Sequence, residues 1–184
     1  MTNEMPNHPA LTSVKAAFGD RRLVATDFRG QVSLIVDPED AHEILRFLRD
    51  DPGCDFKHLV DVTSVDYLDY PASTPGRFAV VWVLRSLTHN TLLVVKSFLD
   101  PSIDTTGIEA DPALEIDSVC DLWEGAEWRE REVFDMFGIR FKAHPDLRRI
   151  LLWRDFPAHP LRKDYPLRGR GERENYAVVD REGA

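Results

Sequence analysis

The apolar positions of the chain repeat with two periods, and the switches between them set out the expected elements. Residues 9–20 place Leu11, Val14, Ala17 and Phe18 on one side of a short opening helix. Residues 23–28 and 31–36 alternate or run apolar on either side of Arg29-Gly30, which predicts a β-hairpin closed by a two-residue turn. Asp37-Pro38-Glu39-Asp40 has the marks of a helix start: an Asp cap, proline at the first helical position and acids in the first turn. Ala41, Ile44, Leu45 and Leu48 form the buried stripe of that helix, which ends near Asp51-Pro52-Gly53, while His42 lies off the stripe, toward solvent. Residues 56–66 alternate as a strand, with Leu59, Asp61, Thr63 and Val65 on one face and His58, Val60, Val62 and Ser64 on the other. After a loop over residues 67–76, residues 78–87 and 91–99 are the most strand-like runs, and Asn90 can supply the positive φ of a tight connection. The first of these runs is apolar almost throughout, as a strand covered on both faces would be. Residues 100–111 read as a polar connector, and 112–122 as a lead-in with a short helix of its own.

The most informative stretch is 123–166. Ala126, Glu130, Val133, Phe134 and Phe137 are spaced by three, four and seven, so they share one helix face, and Gly138 follows as a left-handed cap that Ile139 can close. Glu130 breaks the apolar stripe. A bare carboxylate there is costly unless paired and hydrogen-bonded, so a cation is expected to reach it from the arginine-rich segment that follows. Arg131 is spaced to reach Asp135 or Glu127, and Glu132 and Asp135 are three apart, which predicts an ion-pair lattice rather than a catalytic pair. Beyond residue 138 the prolines at 145, 157, 160 and 166 come too often for a helix, yet Leu147, Ile150, Leu151, Leu152, Trp153, Phe156 and Leu161 are too apolar for a disordered linker. An extended arm lying on a surface follows, a partner's in preference to its own. The order of elements predicts an α+β fold, a mostly antiparallel sheet with helices packed on one face. It divides into a globular domain over residues 1–138 and a Pro/Arg-rich docking arm over residues 139–184.

Charge sharpens this division. The net charge is -9, but residues 139–184 carry eleven Lys/Arg against seven Asp/Glu, leaving twelve against twenty-five for the rest. An acidic body with a basic arm suits docking on another protein and disfavours nucleic acid, whose phosphates the body repels. No apolar run is long enough to span a membrane, the start lacks the features of a secretory signal, and Cys54 and Cys120 are expected to be reduced thiols. A soluble intracellular chain is the expectation. Catalytic chemistry finds no support: Glu130 and Glu132 lie roughly two hundred degrees apart on a helix, and His144 and His159 have no third ligand at metal spacing. Two isolated cysteines cannot hold a cluster, and Gly169-Arg170-Gly171 lacks the strand and helix of a phosphate loop.

One combination is specific enough to compare with a family. Glu130-Arg131-Glu132, Asp135, Met136-Phe137, His144, Arg148, Ile150 and Leu151 together resemble the signature of the respiratory complex I 30-kDa subunit, in bacteria the C subunit of NADH-quinone oxidoreductase. The Pro-Leu-Arg-Lys-Asp-Tyr-Pro run at 160–166 is also similar to that family. The resemblance implies a cofactor-free scaffolding subunit of the peripheral arm of a proton-translocating enzyme, on the cytoplasmic side of the plasma (inner) membrane and in contact with it only through the complex. The 49-kDa-type subunit beside the quinone site would be its neighbour, with FMN, iron–sulfur clusters and quinone carried by partner subunits. In that role Glu130, Arg131, Glu132 and Asp135 would fix the helix against the body and the start of the arm. His144, Arg148, Arg149, Arg162, Lys163 and Asp164 would anchor the arm on the neighbour. Energy-converting [NiFe]-hydrogenases and ferredoxin-fed relatives contain homologous subunits and form the alternative.

Overall fold

The computed structural model describes residues 8–172; the ends of both expected units, 1–7 and 173–184, lie outside the described residues. Helix α1 spans Pro9–Ala17, and strands β1 (Leu23–Phe28) and β2 (Gln31–Val36) form the expected hairpin with Leu23 opposite Val36. Its turn residues Arg29 and Gly30 have φ of 55° and 82°, the doubly left-handed pair that matches strand twist in a two-residue loop. Helix α2 (Pro38–Asp50) buries Ala41, Ile44, Leu45 and Leu48 as its spacing predicts, although Asp37 makes no side-chain cap. His42 is only half-exposed, its ring nitrogen 2.9 Å from Asp121.

Strands β3 (His58–Asp66), β4 (Phe78–Ser86) and β5 (Thr91–Leu99) complete a five-stranded sheet of order β1-β2-β5-β4-β3. All neighbours are antiparallel except β2 and β5. Asn90 has φ 50° in the β4–β5 connection. An irregularity between Leu59 and Asp61 shifts the β3 register, so its buried face is Val62, Ser64 and Asp66.

The three helices share one face of this sheet. Phe78, Val80, Trp82 and Leu84 of β4 join α1, α2 and the third helix, α3 (Ala126–Phe137), in one core. On the opposite face Ala79, Val81 and Val94 form a separate small cluster with Tyr67, Val83 and Phe98. The apolar run of β4 therefore reflects helices on one side and an aromatic loop on the other.

The lead-in to α3 departs from expectation. Residues 112–114 form a single 3-10 turn, and strand β6 (Glu115–Asp117) follows it. It pairs in parallel with β7 (Arg140–Lys142), just after α3. Ile116 and Phe141 point into the core from this small ribbon. A period-two signal only three residues long cannot be told from a helical turn when its partner lies beyond an intervening helix.

Candidate functional site: the clamp between helix and arm

Helix α3 ends at Gly138, in left-handed conformation with φ 75°, and the arm turns back from there across the helix terminus. The last carbonyls of a helix have no intrahelical donor. The arm supplies donors to them. Gly138 N–H caps Phe134 O, Leu161 N–H bonds Met136 O at 3.1 Å, and Arg162 Nε donates to Phe137 O at 2.6 Å. Asp135 O accepts from His159 Nδ1 at 2.9 Å and Arg149 Nη1 at 3.2 Å. Two arginines thus lie at the negative end of the helix dipole, where cations are stabilised.

Asp135 holds the start of the arm. Its side chain is fully buried; one oxygen accepts Arg149 Nη1 at 2.7 Å, and the other accepts the successive N–H groups of Ile150, Leu151 and Leu152 at 3.0, 2.8 and 2.9 Å. Burial pushes this carboxyl up, but the Leu152 N–H, Arg149 and the N–H groups of Leu151 and Ile150 outweigh it and hold it below the usual carboxylate range. Arg149 Nη2 continues to the carbonyls of Phe156 and Ala158 at 2.8 and 3.1 Å, so one guanidinium ties three segments together. Arg131, buried on the same side of α3, donates to the carbonyls of Arg148 and Arg149 rather than to Asp135 or Glu127. The expected ion-pair lattice is therefore absent from the described residues: Glu132 is exposed, and Asp135 pairs fourteen residues along the chain, not four.

Further along, Arg162 is buried, donates to Thr105 O at 2.7 Å and lies 5.8 Å above the Phe78 ring; burial lowers its pKa. At the end of β3, Asp66 and Arg77 form a two-pronged pair at 3.0 and 2.9 Å, and Arg77 also reaches Asp164 at 2.9 Å. Lys163 N–H closes on Asp66 at 2.8 Å. The body thus grips the arm at two places.

Glu130 corrects the sequence reading. It is fully buried, but no arginine among the described residues reaches it: Ser118 Oγ, Val119 N–H and Cys120 Sγ donate to it at 2.6, 2.8 and 3.5 Å. Burial raises its pKa, and the bonds from Ser118, Val119 and Cys120 only partly oppose this. The β6–α3 connector, closer in sequence than the arm, satisfies the carboxyl without a cation. A raised pKa means the folded chain holds the proton more tightly, so this residue's contribution falls as pH rises from the ordinary glutamate range through the raised value. Glu130→Gln retains an acceptor for Val119 and a donor for Ser118. It is expected to cost less than about 1 kcal/mol near pH 5 and to be at least as stable as the parent near pH 8, read by urea unfolding. A large loss near pH 8 would show that the charge itself is needed.

Cys120, Glu130 and His144 place ligand atoms within 4.8 Å of one another, a grouping that sequence spacing did not reveal. Both His144 nitrogens are already engaged, Nε2 with Glu127 O at 2.9 Å and Nδ1 with Asp146 N–H at 3.0 Å, so it ties its own turn to α3. Burial pushes the Cys120 thiol up to about 12. With both His144 nitrogens committed, this is a hydrogen-bonded cluster rather than a preformed set of metal ligands.

Of the residues expected to anchor the arm on a neighbour, Arg149, Arg162 and Asp164 are instead engaged with the chain's own body. Arg148 pairs with nearby Asp146, and the side chains of Arg148 and Lys163 face outward. The arm is stuck to its own domain along its inner side because carbonyls at the helix end and the Asp135 and Asp66 carboxylates demand donors. His159, weighed as a metal ligand in the sequence, proves part of the clamp; Arg77, Asp66, Thr105 and Ser118 were missed, since each acts across eleven or more residues and no local pattern marks them.

Residues 34–171 match the profile of the family described as respiratory-chain NADH dehydrogenase, 30 Kd subunit. The chain belongs to this family. The NADH-quinone oxidoreductase C subunit of Citrifermentans bemidjiense is 44% identical over 92% of this chain and 95% of the relative. Its counterpart in Roseiflexus sp. is 41% identical over 89% of this chain and 86% of the relative. Among solved structures, the trypsin-resistant fragment (1-134) of Nqo5 superposes with a TM-score of 0.60 at 29% identity, covering 75% of this chain and 99% of the fragment. A chain of an archaeal membrane-bound sulfane sulfur reductase shares the fold, with a TM-score of 0.64 at 19% identity over 93% of this chain and 91% of its own length. The Glu130-Arg131-Glu132…Asp135 motif of this 30-kDa family member is thus the helix end on which its arm is clamped.

Proposed function

We propose that this chain is a cofactor-free scaffolding subunit of the peripheral arm of a proton-translocating NADH:quinone oxidoreductase. In this reading it packs against the 49-kDa-type subunit near the quinone site and binds its neighbours in trans. FMN, iron–sulfur clusters and quinone belong to the partner subunits, and the chain sits on the cytoplasmic side of the membrane, held there by the complex. No helix of the described residues is long and apolar enough to cross a membrane.

The observation that carries the reading is what the motif does. Asp135 and Arg162 are buried and Arg149 is half-buried, and their polar atoms go to backbone groups and one another, an arrangement that rigidifies a surface. Fixing the arm before association lowers the ordering cost of docking.

The test is affinity purification of the tagged chain from membranes in mild detergent. Recovery with flavin, iron–sulfur and 49-kDa-type subunits and with NADH:quinone activity is the expected result. A chain recovered alone, or with hydrogenase subunits, would overturn the proposal.

A further inference from the structure

The clamp creates a surface feature that it does not itself use. Three N–H bonds to Asp135 pin Ile150–Leu152 against α3, and a groove opens between that turn and the first turns of the helix. Its apolar part is Trp128, 68% exposed, with Leu151, 62% exposed, and the half-buried Ile150. Its rim is acidic. Glu124, Glu127 and Glu132 line it, and their carboxylates enter no ion pair or hydrogen bond among the described residues. Arg129, a cation on its wall, is already paired with Asp61.

An exposed tryptophan held on a rigid helix is the kind of anchor that dominates interfaces. The unpaired acids disfavour a nucleic-acid strand or an anionic lipid surface and favour basic groups. We infer that this groove is a docking site for a polypeptide segment of another protein that presents an apolar side chain flanked by lysine or arginine. The apolar side chain lies between Trp128 and Leu151, the flanking cations meet Glu127 and Glu132, and a guanidinium can also stack on the indole. The identity of that protein as a neighbouring complex subunit rests on the function proposed above; the chemistry of the segment does not.

The experiment replaces Trp128 with the photo-crosslinking residue p-benzoylphenylalanine in the tagged, full-length chain and irradiates intact membranes. Mass spectrometry then identifies the attached peptide. The expected product joins residue 128 to a peptide of another protein with Lys or Arg within a few positions of the attached apolar residue. Charge reversals Glu127→Lys and Glu132→Lys are expected to lower the salt concentration that releases half of the chain from membranes by several-fold, while Glu39→Lys on α2 leaves it unchanged. Attachment to residues 173–184 of the same chain, to a second copy, or to a peptide without basic residues would overturn the inference. So would attachment no stronger than from p-benzoylphenylalanine at position 39. Absence of complex subunits from the purification, with a basic-apolar peptide still attached at 128, would remove the proposed function and leave the groove assignment standing.

Discussion

Arg149→Ala is expected to release the arm while leaving the body folded. The substitution strands the buried Asp135 carboxylate without its cation and removes donors from the carbonyls of Phe156 and Ala158. Removing one member of a buried ion pair costs about 3–5 kcal/mol, which on a tenfold-per-1.4 scale raises the population of detached arm by roughly a hundred-fold to several thousand-fold. Trypsin reports this directly, because Arg148, Arg154, Arg162 and Lys163 lie in the arm and become cleavable when it lifts. Cleavage should accelerate by that factor, and the product should be a stable body that keeps β7 and ends at Arg148. Arg149→Lys keeps the charge but cannot reach Asp135 and both carbonyls at once, so an intermediate rate is expected. In membranes the Ala variant should incorporate poorly and lower NADH:quinone activity in proportion. Full incorporation with lost turnover would contradict a scaffolding role. Parental cleavage rates would mean that the three N–H groups hold Asp135 without the arginine.

The parts of this architecture that were legible in the sequence are those whose cause is local. The hairpin at Arg29-Gly30 needs only a turn that tolerates left-handed residues; α2 needs only its stripe and its Pro38 start. Gly138 needs only to end a helix, although its second reason was hidden: a Cβ there would lie 2.3 Å from Arg162 Nη2 and 2.7 Å from the His159 ring. What was not legible is the second buried face of α3. Arg131 and Asp135 look like surface charges by periodicity, and they are buried because the arm returns over them. The sequence rule that a buried carboxylate needs a partner was sound for both acids, but it cannot say which donor arrives. Glu130 took hydroxyl, amide and thiol donors from a segment ten to twelve residues upstream, and the arginine went to Asp135. Likewise the arm's apolar residues required a surface. The dense demand for donors at the helix end made that surface the chain's own, with Trp128, Leu151 and the outward faces of Arg148 and Lys163 left for others.

Acidification is expected to weaken the same clamp through His159 before Asp135 is neutralised. His159 is buried, and desolvation lowers its pKa from the ordinary 6.5 to about 4; the Asp135 carbonyl opposes this, while the Arg162 and Arg149 charges add to it. The folded chain therefore binds this proton less readily than the unfolded chain. The stabilising effect is complete above the unfolded value and is lost progressively as pH falls from about 6.5 toward about 4. A difference of that size corresponds to about 3 kcal/mol. Asp135 titrates below the usual carboxylate range, so its contribution is lost only at still lower pH, and Glu130, with a raised pKa, works in the opposite direction. The net slope is the test of which dominates at the arm. Trypsin cleavage assays lose meaning in acid, so hydrogen exchange of the Leu161 amide, which bonds Met136 O, is the better readout. Its protection should fall steeply between about pH 6.5 and pH 4 in the parent. His159→Asn keeps a donor for the Asp135 carbonyl but cannot take up a proton in this range, so its profile should be flat over the same interval. A parent profile equally flat would show that the protonated imidazole is accommodated in place and that the other bonds of the clamp hold the arm without it.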